Sequence, residues 1–436
     1  MIDYQLIIMW CDYAVLIGYA ILLLAMFYYF LFFTLGFKKP KIYPKGKNKY
    51  KYCVIIPARN ESSVINNILN ALKDQTYDKD KFDVYVIIES IDDPTYKIVQ
   101  NFDYKVFIRK DLQNKNTKGY AIQELIDYLN NEHLKEQYDS YIIFDADNVM
   151  NKDYIDKLND LKNAGFQIGF GYRNFTNANK NWVTACSAIL FSLINQVFSK
   201  GRSILFKKIM INGTGYFIDR KIIDDIGKWI FTGMTEDVQV STYATYHNIA
   251  MGYNETTQYY DEEPTRMNIT HKQHIRWIWG FLASRKLYKK KNPNYHSNKE
   301  YVSRLTRIEF NLSVWPVVMY VVFILVAYLV ELGLFFSSLY FDITQSGWLF
   351  AHSIIPFASL YFLFFIIAIF VLAIDNRHLK LNFWMSIGSV LTFAFFFYDF
   401  IFAFLDGLFH PKKRKIWSPI VHKGEIINHD ALENKK

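Results

Sequence analysis

Apolar and polar residues are segregated along this chain. Four stretches, Ala14 to Gly36, Leu312 to Phe336, Trp348 to Ile374 and Phe383 to Leu405, are almost wholly apolar. At about 1.5 Å per helical residue, each can cross roughly 30 Å of hydrocarbon. Between the first and second stretches the texture changes, and short β-rich runs alternate with helical periodicity from Tyr52 to about Arg307. YCVIIPA reads as a buried strand ended at Pro57, Ser62 to Leu72 as a helix after the polar turn RNES, and DVYVIIES as a second strand. KVFIR and YIIFDAD are two more strands, separated by a helix from about Lys118 to Leu134. Strands alternating with helices predict an α/β fold on a mostly parallel sheet, with ligands gathered at the strand carboxyl ends. Beyond Phe231, Val238 to His247 reads as a helix. Gln273 to Tyr288 places Ile275, Trp277, Ile278, Phe281, Leu282 and Leu287 at roughly helical spacing, followed by Lys289 to Lys291. That amphipathic pattern predicts a helix in the membrane interface, with an ordinary surface helix as the alternative.

Composition sharpens this picture. The 436 residues are 51% hydrophobic and 18% aromatic, high for a purely soluble protein. The excess sits in the four apolar stretches, and helices buried in soluble cores are usually shorter and interrupted by charge. A cleavable signal peptide requires a positive N-terminal region, whereas Asp3 and Asp12 precede the first stretch. Lys38 to Lys51 carries seven lysines and no acid, which places this end of the first span in the cytoplasm, together with the polar region after it. The net charge of +9 lies largely near span ends, where it meets anionic headgroups, so no nucleic-acid partner is implied. Counting three further spans puts the C-terminal tail outside, yet Lys412, Lys413, Arg414 and Lys415 argue for the cytoplasm. Either one C-terminal segment is re-entrant or interfacial, or the charge rule fails. Cys11, Cys53 and Cys186 lack metal-ligand spacing and read as reduced structural thiols.

Three polar clusters carry candidate chemistry. Asp145 and Asp147 follow the strand YIIF at a spacing that lets both reach one cation, and oxygen-only donors favour Mg2+ or Mn2+. Glu236 and Asp237 follow Thr235, an N-cap residue by type, and acids in a first helical turn are favoured by the helix dipole. An acid there can also take a proton from an attacking hydroxyl. In QHIRW, Arg276 offers a bidentate fork to phosphate, and Trp277 offers a flat face to a sugar ring or lipid boundary.

The ordered series IIPARNE (from Ile55), IESIDDPT (from Ile88), KGYA (from Lys118), DADN (from Asp145), NGTGYFI (from Asn212), TED (from Thr235), YDEEPT (from Tyr260) and QHIRW (from Gln273) resembles the membrane family 2 glycosyltransferases. That group includes hyaluronan, chitin, cellulose and poly-N-acetylglucosamine synthases. WSPIVH (from Trp417) resembles a C-terminal element of bacterial members. The resemblance implies a GT-A nucleotide-diphospho-sugar transferase domain over 52–271, after an N-terminal helix (1–37) and a basic linker (38–51). It further implies an interfacial region over 272–307, about three helices over 308–410 and a basic tail over 411–436, in a multi-pass protein of the cell membrane with a cytoplasmic catalytic domain.

Carried over position by position, Pro57, Ala58, Glu61, Glu89, Asp93 and Lys118 border the uridine, with Asp93 ranked ahead of Glu89. Asp145 and Asp147 hold the cation, Asp145 also facing the donor with Gly213, Thr214 and Gly215. Asp237 is the general base with Glu236 beside it, and Gln273, Arg276 and Trp277 gate the diphosphate. The implied reaction inverts the sugar of a UDP donor, UDP-glucose or UDP-N-acetylglucosamine, onto a growing polysaccharide that is exported as it is made. The alternative is nonprocessive transfer to a lipid acceptor, diacylglycerol or polyprenyl phosphate. Four spans are few for a conduit, so export would call for a homo-oligomer or a helper subunit.

Overall fold

The computed structural model describes residues 4–113, 116–205, 209–289, 315–341 and 346–415. The WSPIVH element, the tail beyond Lys415, Lys290 and Lys291, the later part of the interfacial region and the first residues of the second apolar stretch lie outside the described residues. Strands β1 (Tyr52–Pro57), β2 (Phe82–Ile88), β3 (Lys105–Ile108), β4 (Ser140–Ile143), β5 (Val149–Met150), β6 (Ile168–Phe175), β7 (Tyr216–Asp219) and β8 (Met251–Asp261) form one sheet. The helices, in chain order, are α1 (Tyr4–Gly36), α2 (Ile65–Lys73), α3 (Pro94–Val99), α4 (Lys118–Asn131), α5 (Tyr154–Asn163), α6 (Trp182–Ile194), α7 (Arg202–Leu205), α8 (Arg220–Ile226), α9 (Glu236–Tyr246), α10 (Met267–Lys289), α11 (Trp315–Phe341), α12 (Ser346–Leu379) and α13 (Phe383–Phe409).

The strand order is β3-β2-β1-β4-β7-β6-β8-β5. The expected parallel arrangement holds for β3-β2-β1-β4. Both faces of β1 and β2 are covered, which is why VII in each reads as an unbroken apolar run, fully buried here. Beyond β4 the sheet is mixed, a correction to the mostly parallel expectation: β7 runs antiparallel to β4 and β6, and β5 antiparallel to β8. The sequence hid this half because β6 (IGFGYRNF) and β8 (MGYNETTQYYD) place Asn174, Asn254 and Glu255 inside the protein. Specific partners satisfy these groups. Asn174 Nδ2, for example, donates to the His378 carbonyl at 2.8 Å.

Helices α1, α11, α12 and α13 coincide with the four apolar stretches. Among the described residues, three helical runs are long and apolar enough to cross a membrane, by length and composition: Trp182–Leu205, Leu360–Leu379 and Phe383–Phe409. The first of these, α6 and its π-helical continuation Asn195–Gly201, was not expected as a span, and it is largely buried inside the protein. One apolar core surrounds the sheet. A second joins Phe175, Val183, Cys186 and Phe191 to Leu360, Phe364, Phe393 and Phe396 on α12 and α13.

Polar contacts fix the helices to the sheet. Tyr172 on β6 donates to Asp375 on α12 at 2.6 Å. Lys200 Nζ reaches both the Gly36 carbonyl that ends α1 and Glu255 on β8, each at 2.7 Å. Both ends of α13 return to the sheet domain or to α10. At its start the Asn382 N–H donates to Asn179 Oδ1 at 2.8 Å. Farther along, Asp399 contacts His271 and His274 of α10 at 2.7 Å each, and just past its end Arg414 lies 3.6 Å over the Trp279 ring.

Candidate active site

The carboxyl ends of β1, β2 and β4 open into a cavity of about 920 Å3 that continues between α1, α6, α10, α12 and α13. Pro57, Ala58, Glu61, Glu89, Lys118, Asp145, Asp147, Gly213, Glu236, Asp237, Arg276 and Trp277 all line it, although they span most of the polar region. Asp93, Thr214, Gly215 and Gln273 do not.

Local chemistry explains these placements. After β4 the chain turns sharply, with the Asp145 N–H donating to Thr214 Oγ1 at 2.7 Å and Thr214 donating to Asn148 Oδ1 at 2.6 Å. Thr214 is thus a fully buried brace beneath the two aspartates. Gly215, at φ +69°, leaves no room for a Cβ against the Tyr259 ring. Asp93 caps α3, accepting from Thr95 N–H at 2.8 Å, while its second oxygen accepts from Asn60 N–H at 2.8 Å. Both oxygens are engaged inside the protein, so the assigned order of Asp93 over Glu89 is reversed in space. Glu89 faces the cavity and pairs with Arg59 at 3.0 Å and Arg109 at 3.6 Å. Gln273 is buried, and its Oε1 has no hydrogen-bond partner among the described residues.

Lys118 is the electrostatic centre. Its Nζ lies 2.6 Å from Asp145, 3.1 Å from Glu236 and 2.9 Å from the Gly213 carbonyl. Burial opposes its charge, but the two carboxylates outweigh burial and hold the ammonium above the usual lysine range. Gly119 permits this approach, because a Cβ there would lie 2.1 Å from the Phe231 carbonyl oxygen.

Glu236 and Asp237 open α9 as expected, but Thr235 at the N-cap does not cap the helix and instead places its hydroxyl 3.4 Å from Ser284 of α10. Burial pushes the Glu236 carboxyl up to about 7, against the pull of Lys118. Burial also raises Asp237, opposed by N–H groups that include Gly213 at 2.7 Å. Arg276 has no carboxylate within ion-pair distance among the described residues. Burial draws its guanidinium below the usual arginine value, with Glu236, Asp145 and Asp237 pulling the other way. Trp277 meets the Phe191 ring edge-on at 5.6 Å.

Several polar lining residues were not among the candidates, Arg173 and Asn212 among them. Arg173 pairs with Asp261 and, at 3.5 Å, with Glu263, and donates to the Asn212 carbonyl at 2.8 Å. Asn212 is buried, and its Nδ2 has no partner among the described residues. The motifs NGTGYFI and YDEEPT held their neighbours, but Arg173 sits in a strand without a motif. Gln123 on α4 donates to the Trp229 carbonyl at 2.8 Å.

Among the described residues no group of three or more His, Cys, Asp or Glu side chains forms a cation cage. Two carboxylates alone still suit Mg2+ or Mn2+, which take their other ligands from waters and substrate phosphates.

A sheet of this topology with acidic turns at its carboxyl edge defines a GT-A-like glycosyltransferase fold. The fold resembles that of a mannosyltransferase, PcManGT from Pyrobaculum calidifontis solved with GDP-Man and Mn2+, at a TM-score of 0.52 and 13% identity, over 92% of this chain and 98% of that one. The sequence model of the family described as Glycosyltransferase like family 2 matches residues 50–280. The chain belongs to that family. It is 28% identical to the probable glycosyltransferase YdaM of Bacillus subtilis over 247 residues, 55% of this chain and 57% of that protein. It is 22% identical to the beta-monoglucosyldiacylglycerol synthase of a Synechocystis strain over 233 residues, 52% of this chain and 47% of that protein. The matches thus span about half the length of these curated relatives.

Proposed function

We propose that this protein is an inverting glycosyltransferase of the cell membrane, moving a sugar from a nucleotide-diphosphate donor to an acceptor hydroxyl at the membrane face. The observation that carries this reading is one cavity bringing Asp145, Asp147, Lys118, Asp237 and Arg276 together. In this reading Asp145 and Asp147 would hold a divalent cation against the diphosphate, which supplies charge neutralisation when bound. Lys118 and Arg276 steady the departing diphosphate, and Asp237 accepts the acceptor's proton. Asn212 Nδ2, without a partner among the described residues, is a donor for a sugar hydroxyl, and Glu61 and Glu89 border the nucleoside.

Helices α1, α11 and α12 cross the bilayer in this proposal, while α13 lies in its plane. Both ends of α13 are tied to the catalytic domain or α10, and Trp384, Ile387, Leu391, Phe395, Phe402 and Phe409 form one exposed apolar stripe along it. Three crossings place Lys412 to Lys415 on the cytoplasmic side, which removes the conflict in charge topology.

Two acceptor classes remain in play. A polymer exported as it grows is supported by the QxxRW motif, with Arg276 and Trp277 at the cavity wall. A lipid acceptor is supported by the walls beyond Trp277, which are Phe, Leu, Ile and Val almost throughout, and by the lipid product named for the Synechocystis relative. The cavity favours the lipid. The deciding experiment incubates purified full-length protein with UDP-glucose, UDP-N-acetylglucosamine or GDP-mannose, Mg2+ or Mn2+ and membrane lipids, then sizes the product. A single-sugar lipid is expected, a carbohydrate ladder would support the polymerase, and failure to release nucleotide from any donor would refute the enzyme reading.

A further inference from the structure

We infer that the acceptor is an uncharged lipid alcohol whose hydrocarbon tail occupies the apolar branch of the cavity, entering sideways between α1 and α12. This deepens the glycosyltransferase reading above and rests on it.

The branch begins at Trp277, beside Arg276, and among the described residues its walls carry almost no group that could hydrogen-bond a sugar hydroxyl. Phe364 stacks on Phe397 at 3.9 Å, and Phe33 of α1 meets Phe370 of α12 edge-on at 6.4 Å. Its mouth faces outward: Phe30, Ile366 and Phe370 line the cavity and are also 58%, 48% and 49% exposed. A polymer path needs polar groups repeated along it for the hydroxyls of each sugar, whereas apolar walls recover the hydrophobic free energy of a tail.

Charge selects the headgroup. Six carboxylates and five cations line the cavity. Arg59, Arg109, Lys118 and Arg173 are each already paired with carboxylates. Arg276 is the one lining cation without such a pair among the described residues, and the departing diphosphate takes it. A phosphate-bearing acceptor would then face Glu236 and Asp237 with no cation of its own, which is repulsive. A neutral alcohol has no such conflict and needs what the site does offer, a carboxylate base. The alcohol oxygen bonds to the sugar's anomeric carbon while the bond from that carbon to the β-phosphate oxygen breaks. The bonding pair leaves with the nucleoside diphosphate, and the hydroxyl proton passes to Asp237.

The test uses the full chain in detergent or nanodiscs, with labelled UDP-glucose, UDP-N-acetylglucosamine or GDP-mannose and acceptors of matched tails: dioleoylglycerol, dioleoylphosphatidate and undecaprenyl phosphate. Label should enter dioleoylglycerol at least ~10-fold faster than either phosphate lipid. Ile366→Trp and, independently, Phe30→Trp narrow the mouth and should raise the KM for dioleoylglycerol at least ~10-fold, with folding verified by calorimetric donor binding. Preference for a phosphate lipid, a polymer made without lipid, or an unchanged KM in both folded variants would overturn the inference. Absence of donor binding in the unmodified protein would instead bring down the enzyme reading beneath it.

Discussion

Gly119→Ala adds a single methyl group about one turn from the reacting centre. The new Cβ would sit 2.1 Å from the Phe231 carbonyl oxygen and 2.8 Å from Thr232 Cα. Ordinary carbon–oxygen contacts lie near 3.3 Å, so α4 and the 231–232 backbone must separate by roughly 1 Å. Neither side yields easily, because Thr117 Oγ1 already donates to the Thr232 carbonyl at 2.8 Å and the Trp229 carbonyl accepts from Gln123. The separation carries Lys118 away from Glu236, which follows the same loop into α9. A misplacement of about 1 Å costs on the order of 10²-fold in rate, equivalent to ~2.7 kcal/mol of barrier, and overpacking removes about 1–3 kcal/mol of stability. Steady-state kinetics and thermal melting measure the two effects separately. Gly227→Ala is the control: at φ +89° with open space around it, it costs stability through backbone strain far from the site. The expected result is a fall in kcat per folded molecule for Gly119→Ala and none for Gly227→Ala. Wild-type kcat in Gly119→Ala, or equal loss in both, refutes the reasoning.

Other outcomes are open to direct measurement. Asp237→Asn is expected to lower kcat at least ~10²-fold while donor binding survives, and a near-normal rate would remove Asp237 from the base role. Asp147→Ala is expected to weaken Mn2+ binding, read by electron paramagnetic resonance, and to lower turnover at least ~10²-fold. Because burial lifts Glu236 to about 7, the folded protein holds a proton that the unfolded chain releases near pH ~4.3. Stability therefore falls as pH rises from about 4.3 to about 7. Glu236→Gln should flatten this fall in the melting temperature, and an unchanged profile would count against it. Glu255→Ala leaves Lys200 buried beside the Gly36 carbonyl with its carboxylate gone, at a cost of about 3–5 kcal/mol, visible as a lower melting temperature in detergent.

Where the sequence was legible, a single physical signal dominated. The unbroken VII runs of β1 and β2, the strand before Asp145 and the helix from Lys118 are local patterns with buried outcomes, and they were placed to within a few residues. Of the residues singled out by the motifs, most line one cavity, while Asp93, Thr214, Gly215 and Gln273 lie outside its lining. What stayed hidden depends on partners far away in the chain. Arg173 looks like a surface residue until Asp261 and Glu263 are brought beside it. Asp93 and Glu89 look equivalent until the N–H groups of Thr95 and Asn60 claim the first and the cavity takes the second. α6 is hydrophobic enough to read as a span, yet it is sandwiched between the sheet and two other helices, an environment no local pattern reports. For α13, length and hydropathy likewise do not report the contacts that tie its start to Asn179 and the residues just past its end to Trp279.

The second apolar core has a consequence for how this chain can be divided. Homology marks off residues 50–280 as a unit, but that cut runs straight through the packing of Phe175, Val183, Cys186 and Phe191 against Leu360, Phe364, Phe393 and Phe396. A fragment ending near Gly280 would leave one flank of α6 bare, so it is expected to be less stable than the full chain. Recombining it with helices from another family member would require redesigning that seam as well as the loops that join the parts.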